Sequence, residues 1–294
     1  MQKNLVLARV GASSLHPSWL DPGAERTWDL RLVPYQPIPG QDARDCSVTD
    51  VVAGPKWTGI REALNSWDGW RDYDYIWLPD DDILATQSTI NRMFEVAGAL
   101  KLDLFAPALD EQSYFAHFDT TRNPSFFGRW VGFVEIMIPA FSRPALEKVL
   151  HTLSETETGW GWGLDSVWPK LLDYRNVAII DGITVTHTRP VGEMRDEELR
   201  RRVHAESDAL LKRYDCHQVH ATFGAFDEEL RRVELPPEGL LAELVKGAQP
   251  LIDRDPRVVA WIMEFQRPHF EWPEYPVAGT PRAHPRHVAQ PTRT

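Results

Sequence analysis

The hydrophobic pattern of the chain opens with short apolar runs separated by stretches of helical period. Leu5-Val6-Leu7-Ala8-Arg9-Val10 is the first run and stops at Gly11; a run this short and continuous reads as a buried strand. Residues 28–35 alternate at their start and read as a second strand. Residues 34–40, with Pro and Gly, read as loop, and 42–53 show no clear period. Gly54-Pro55-Lys56-Trp57 opens a helix with Pro near its first turn. On that helix Trp57, Ile60, Leu64 and Trp67 fall on one face. Residues 73–78 read as the next strand. Thr86 then caps a helix on which Ile90, Met93, Phe94, Ala97 and Leu100 share a face. Residues 102–107 follow as a strand. This order predicts an α/β layer with a mostly parallel sheet, in which ligands bind beyond the carboxyl ends of the strands.

The later pattern is more broken. Residues 110–129 are polar and aromatic without a period and read as a substrate-side loop. Residues 130–141 read as a strand, and Ser142 caps a short helix carrying Leu146, Val149, Leu150 and Leu153. A glycine-rich aromatic loop, residues 158–165, leads into a helix with Leu164, Val167, Trp168, Leu171 and Leu172 inward. Residues 177–180 and 183–187 read as two last strands. After Gly192 the chain becomes charged and helical, and Arg200-Arg201-Arg202 is balanced by nearby carboxylates as on a solvated helix face. The predicted organisation is a catalytic domain over 1–193, a helical extension packed on it over 194–270, and a Pro-rich disordered tail over 271–294.

Composition narrows the function. With 294 residues and 43% hydrophobic positions, the chain can bury a sizeable core. Its formal net charge of -11 argues against nucleic acid as a partner, because phosphate backbones are bound by basic surface. Cys46 and Cys216 form no CxxC pair and suggest no disulfide framework. No apolar run reaches signal-peptide or membrane-spanning length, so a soluble cytoplasmic protein without an integral membrane segment is expected.

The central chemical signal is Asp80-Asp81-Asp82, directly after Tyr73-Asp74-Tyr75-Ile76-Trp77-Leu78-Pro79. Three adjacent carboxylates at a strand end repel one another, and a divalent cation with a preference for oxygen offsets them. The plainer reading is a solvated acidic turn near a helix N-terminus.

Three further stretches complete a set: Phe133-Val134-Glu135-Ile136-Met137-Ile138-Pro139-Ala140-Phe141-Ser142-Arg143, Gly161-Trp162-Gly163-Leu164-Asp165 and Val185-Thr186-His187-Thr188-Arg189-Pro190. With the Asp triplet, and over about residues 4–192, they resemble the GT-A glycosyltransferase fold. More narrowly they resemble the glycosyltransferase-like family called domain of unknown function 707. The resemblance implies a mixed, mostly parallel sheet flanked by helices, with a C-terminal helical appendage. It also implies transfer of a sugar from a UDP- or GDP-type nucleotide-sugar donor to a carbohydrate or other hydroxyl acceptor, aided by Mn²⁺ or Mg²⁺. Asp80-Asp81-Asp82 then matches the Asp-x-Asp motif: Asp82 ligates the metal, Asp80 contacts the metal or the ribose, and Asp81 shares either role. His187 becomes a late metal ligand or a hydrogen-bonded histidine, and Asp165 the general base or a carboxylate stabilised by a helix dipole.

Other residues are read beside this set. Glu135 lies mid-strand among apolar neighbours, so it is paired with an Arg or aimed into the cleft as a second acid/base or acceptor-binding group. Trp160 and Trp162 offer flat faces for a sugar ring, or simply pack their loop. Lys56 in a first helical turn and Arg9 at the end of the first strand are candidate diphosphate or base contacts, and Gly11 allows close backbone approach. Two rivals use the same carboxylates or the same fold. One is a metal-dependent phosphoryl or nucleotidyl transferase, weakened by the absence of GxxxxGK[ST] and GxGxxG; the other is a non-catalytic sugar-nucleotide-binding protein.

Overall fold

The first apolar run is strand β1, Asn4–Val10, in the computed structural model, which describes residues 2–271 except 39, 41–44, 192, 193 and 195. The boundary expected at 193 and the tail over 272–294 lie outside the described residues. Leu5, Val6, Leu7, Ala8 and Val10 of β1 are fully buried, as a parallel strand covered on both faces requires. Strands β2 (Trp28–Pro34) and β3 (Ser47–Val48) follow, then helix α1 (Lys56–Ser66) and strands β4 (Tyr75–Trp77) and β5 (Ile83–Leu84). Helix α2 (Gln87–Leu100) is capped by Thr86, whose side chain accepts from the Thr89 amide. Strands β6 (Leu104–Leu109), β7 (Gly128–Val131) and β8 (Ala140–Ser142) precede α3 (Arg143–Val149), which Ser142 caps, and α4 (Leu164–Leu171). Strand β9 (Val177–His187) and helix α5 (Glu197–Arg213) lead to β10 (Thr222–Phe226), β11 (Arg232–Val233), α6 (Pro237–Gly247), α7 (Gln249–Arg254) and α8 (Arg257–Glu271).

These strands form one mixed sheet in the order β11-β10-β7-β9-β6-β8-β4-β1-β2-β3. Its longest ladders, β1 on β2 and β6 on β9, are parallel, as are β1 on β4 and β2 on β3. Strand β8 runs antiparallel between β4 and β6. Helices flank the sheet. On one face Phe141 meets Trp168 of α4 edge-on at 5.1 Å, and Trp168 meets Trp57 of α1 at 5.0 Å. On the other, Tyr75 donates its hydroxyl to the Ala97 carbonyl of α2 and packs on Phe105. A second apolar cluster joins Leu240, Leu244, Val258 and Ile262 of the last helices to Phe126 and Ala225.

Three elements differ from the expected pattern. Residues 130–141 are not one strand: β7 and β8 are separated by a turn in which Phe133, Val134 and Ile138 are buried all the same. That turn does not pair in the ladder; its carbonyls serve the Asp loop, since Leu78 donates to Pro139 and Asp80 to Met137, each at 2.9 Å. Residues 177–187 form a single strand with a register shift opposite Pro107 and Ala108. The chain after 194 also adds β10, which pairs with β7 and ties this segment into the sheet. Beneath that junction, Arg129 forms a two-bonded ion pair with the fully buried Asp181 at 2.8 and 2.9 Å.

Candidate active site

The carboxyl ends of β1, β4, β6 and β9 converge on the Asp loop, and β5 brings it to β9 by pairing Ile83 with His187. Each aspartate has its own partner. Asp80 meets Lys56 at 2.7 Å, and the same ammonium bonds the carbonyls of Ile136 and Met137 at 2.7 and 2.8 Å. Burial pushes Asp80 up and Lys56 down, and the pairing opposes both shifts. Asp81 accepts from the Gly11 amide at 3.0 Å, the Tyr35 hydroxyl at 2.9 Å and Arg189 at 3.1 Å. Asp82 lies 3.3 Å from His187 Nε2 through Oδ2, while its Oδ1 is buried without a hydrogen-bond partner.

The Asp82–His187 contact carries the electrostatic information. His187 Nδ1 lies 2.8 Å from the Tyr114 carbonyl, an acceptor only, so Nδ1 carries a proton. In the neutral ring Nε2 then presents a lone pair to a carboxylate oxygen. Two acceptors face each other, and a proton or a cation must lie between them. Burial pushes the Asp82 carboxyl up, but His187 and Arg189 outweigh it and the net shift is downward. Burial pushes His187 down, and Asp82 reverses it to a net rise. Carboxylate and imidazole donors with an unsatisfied buried oxygen fit a divalent ion, which Asp82 and His187, with Asp80, could hold.

Glu135 and Asp165 sit deeper. Glu135 lies in the turn after β7, 6% exposed, with Thr120 Oγ1 at 3.4 Å. Burial and the charges of Asp165 and Asp119 push its carboxyl up to about 8. Asp165, in the first turn of α4, is buried too and is pushed up to about 6, mainly by burial, against a hydrogen bond from Ser166 at 3.1 Å. Asp80 also pushes the Glu135 carboxyl up and His187 pushes it down, so Glu135 senses the charges of both the Asp loop and Asp165.

The remaining candidates are dispersed. Arg9 is buried and gives its guanidinium to the carbonyls of Val33, Pro34 and Gly54. The space beside Gly11 is filled by Tyr35, whose hydroxyl would lie 2.1 Å from an added Cβ. Trp160 is 38% exposed, whereas Trp162 packs edge-on against His204 of α5 at 4.9 Å. Glu206 of α5 accepts from the Thr158 amide and hydroxyl, which fixes the Trp loop to the helix. Gly161 has φ 76°, and a Cβ there would strike Trp57 at 2.3 Å.

Sequence reasoning passed over four residues. Arg189 closes on Asp81 and on the Ser13 carbonyl; its position two residues after His187 was the available signal. His117, Asp119 and His220 come together across about a hundred residues, and only the tertiary fold brings them close.

No protein-family model and no curated protein matches the chain, so the resemblance to domain of unknown function 707 has no family match behind it. Among solved structures, S. aureus TarS covers 72% of this chain at 11% identity with a TM-score of 0.43. A TarS 1–349 complex with UDP covers 70% at 11% identity and 0.44, and A197 from STIV covers 64% at 12% identity and 0.38. The alignments take in 43% and 65% of the two TarS chains. Below a TM-score of 0.5 these likenesses bear no weight for function. Among the described residues no helix is long and apolar enough to cross a membrane.

Proposed function

We propose that the protein is a metal-dependent glycosyltransferase of GT-A type, using a nucleotide-diphosphate sugar. The observation that carries this reading is the facing pair of Asp82 Oδ2 and His187 Nε2 at the carboxyl edge of the sheet, with Asp82 Oδ1 left unsatisfied. Asp82, His187 and Asp80 would hold a divalent ion, which would supply positive charge for a departing nucleoside diphosphate. Arg189, 39% exposed at its side chain, lies beside that position and offers a second cation for the diphosphate. Lys56 fixes Asp80 and the turn that carries Glu135.

The acid–base roles divide by environment. At neutral pH Asp165, near 6, is mostly ionised and takes the proton of the acceptor hydroxyl as that oxygen attacks the anomeric carbon. The bond from the anomeric carbon to the diphosphate oxygen breaks, and the electron pair leaves with the nucleotide. Glu135, near 8, stays protonated and donates a hydrogen bond rather than a negative charge. Trp160 offers its exposed face to a sugar ring.

Thermal unfolding against UDP-, GDP-, CDP- and dTDP-sugars, with and without Mn²⁺ or Mg²⁺, tests the reading. A ligand at a hundred times its Kd stabilises by about 2.7 kcal/mol. One nucleotide family should raise the midpoint only with metal. If metal alone stabilises and no donor adds to it, the site serves other chemistry.

A further inference from the structure

Beside Thr120, which donates to Glu135 at 3.4 Å, lies a second group of donors that the sugar-transfer reading does not use. His117 and Asp119 come from the loop after β6, and His220 from the segment before β10. One donor atom from each falls within 4.8 Å of the other two. His220 Nδ1 lies 2.9 Å from Asp119 Oδ2, whereas Asp119 Oδ1 is buried with no hydrogen-bond partner. The surroundings are aromatic: Phe133 lies 4.8 Å from the His117 ring and 4.4 Å from that of His220, and Phe265 of α8 stacks on His220 at 4.7 Å. A small cavity opens onto Asp119 and His220, bounded further by Thr222 and Gln266.

We infer that His117, Asp119 and His220 form a second metal centre of the zinc class, separate from the Asp82 site. Three arguments support it. First, a histidine–carboxylate pair accounts for one oxygen of Asp119 and leaves the other buried without a hydrogen bond, which is costly; a cation satisfies it. Second, the His117 and His220 rings stack with centroids 5.1 Å apart while His220 holds Asp119 Oδ2 at 2.9 Å, so the three side chains already form one cluster. Third, two imidazoles and one carboxylate suit Zn²⁺, Co²⁺ or Fe²⁺ rather than the oxygen-seeking ions expected at the Asp loop. Zinc bonds nitrogen at about 2.1 Å, which separates tetrahedral donors by roughly 3.4 Å. Binding therefore draws the three side chains together. Phe133 and Phe265 hold the imidazole rings in place.

The test uses tag-free protein carrying Asp82→Asn, stripped with chelator and titrated with Co²⁺. The expected result is one tightly held equivalent with visible ligand-field absorption, displaced by Zn²⁺. That equivalent should disappear in His117→Gln and in His220→Gln made on the same background, with near-UV circular dichroism confirming that each variant folds. If either variant fails to fold, Asp119→Asn replaces it. No Co²⁺ uptake by the Asp82→Asn protein, or undiminished uptake by the folded histidine variants, overturns the inference. Because the starting protein lacks the Asp82 carboxylate, failure of the sugar-transfer reading leaves this result unaffected.

Discussion

Replacing Glu135 by Gln gives a pH-dependent change in stability with a defined sign. The folded carboxyl is raised from 4.5 to about 8, and the residue is only 6% exposed. Between those values the folded state keeps a proton that the unfolded chain releases, so wild-type stability falls as pH rises. Gln has no proton to lose and matches the shape of the neutral acid. One such proton changes stability by about 1.36 kcal/mol per pH unit inside the window. From pH 5.5 to 7.5 the variant should therefore gain up to roughly 2.7 kcal/mol on the wild type. Asp165 titrates near 6 in the same pocket and takes part of that difference, which leaves about 2 kcal/mol. Urea unfolding at each pH reads the quantity directly, as a rise in the variant's midpoint relative to wild type. In a thermal scan it corresponds to roughly 4–8 °C. If the two proteins keep a constant difference from pH 5.5 to 7.5, Glu135 is ionised in the folded state and the account of its burial is wrong.

Three other outcomes follow from the same geometry. Arg129→Met leaves the Asp181 carboxylate buried and unpaired, and should cost about 3–5 kcal/mol in urea unfolding, with most of it restored by Asp181→Leu on top. Sugar transfer should follow a bell in pH, with the rising limb near 6 from Asp165 and the falling limb near 8 from Glu135; Asp165→Asn should abolish transfer across the range while leaving nucleotide binding in place. Arg189→Ala should weaken nucleotide binding tenfold or more and reduce its salt dependence, read by titration calorimetry at two ionic strengths.

What could be read from the sequence divides along physical lines. Elements whose burial follows a regular period were legible: Trp57, Ile60 and Leu64 face the core of α1, and Ile90, Met93, Phe94 and Ala97 that of α2. The helix caps Thr86 and Ser142 were legible because a local hydrogen bond defines them. The turn after β7 was not, because the apolar residues Phe133, Val134 and Ile138 signal burial without saying whether the backbone pairs in a sheet. The Asp triplet stood out by charge alone, yet its division of labour depends on partners far along the chain: Lys56 for Asp80, Tyr35 and Gly11 for Asp81, His187 for Asp82. Arg9 illustrates the same limit, since a cation near a strand end serves a ligand or three backbone carbonyls equally well in sequence. His220 and Asp119 carry no local signal for one another.

The central claim is that Asp82 and His187 hold a divalent ion that in turn holds a nucleotide diphosphate. Titration calorimetry of UDP and GDP into wild-type protein and Asp82→Asn, each with Mn²⁺ and with chelator, tests it most directly. The account predicts binding of one nucleotide by wild type with Mn²⁺, loss of at least tenfold in affinity with chelator, and the same loss in a folded Asp82→Asn protein whether or not Mn²⁺ is present. Equal affinity in all four combinations would contradict it.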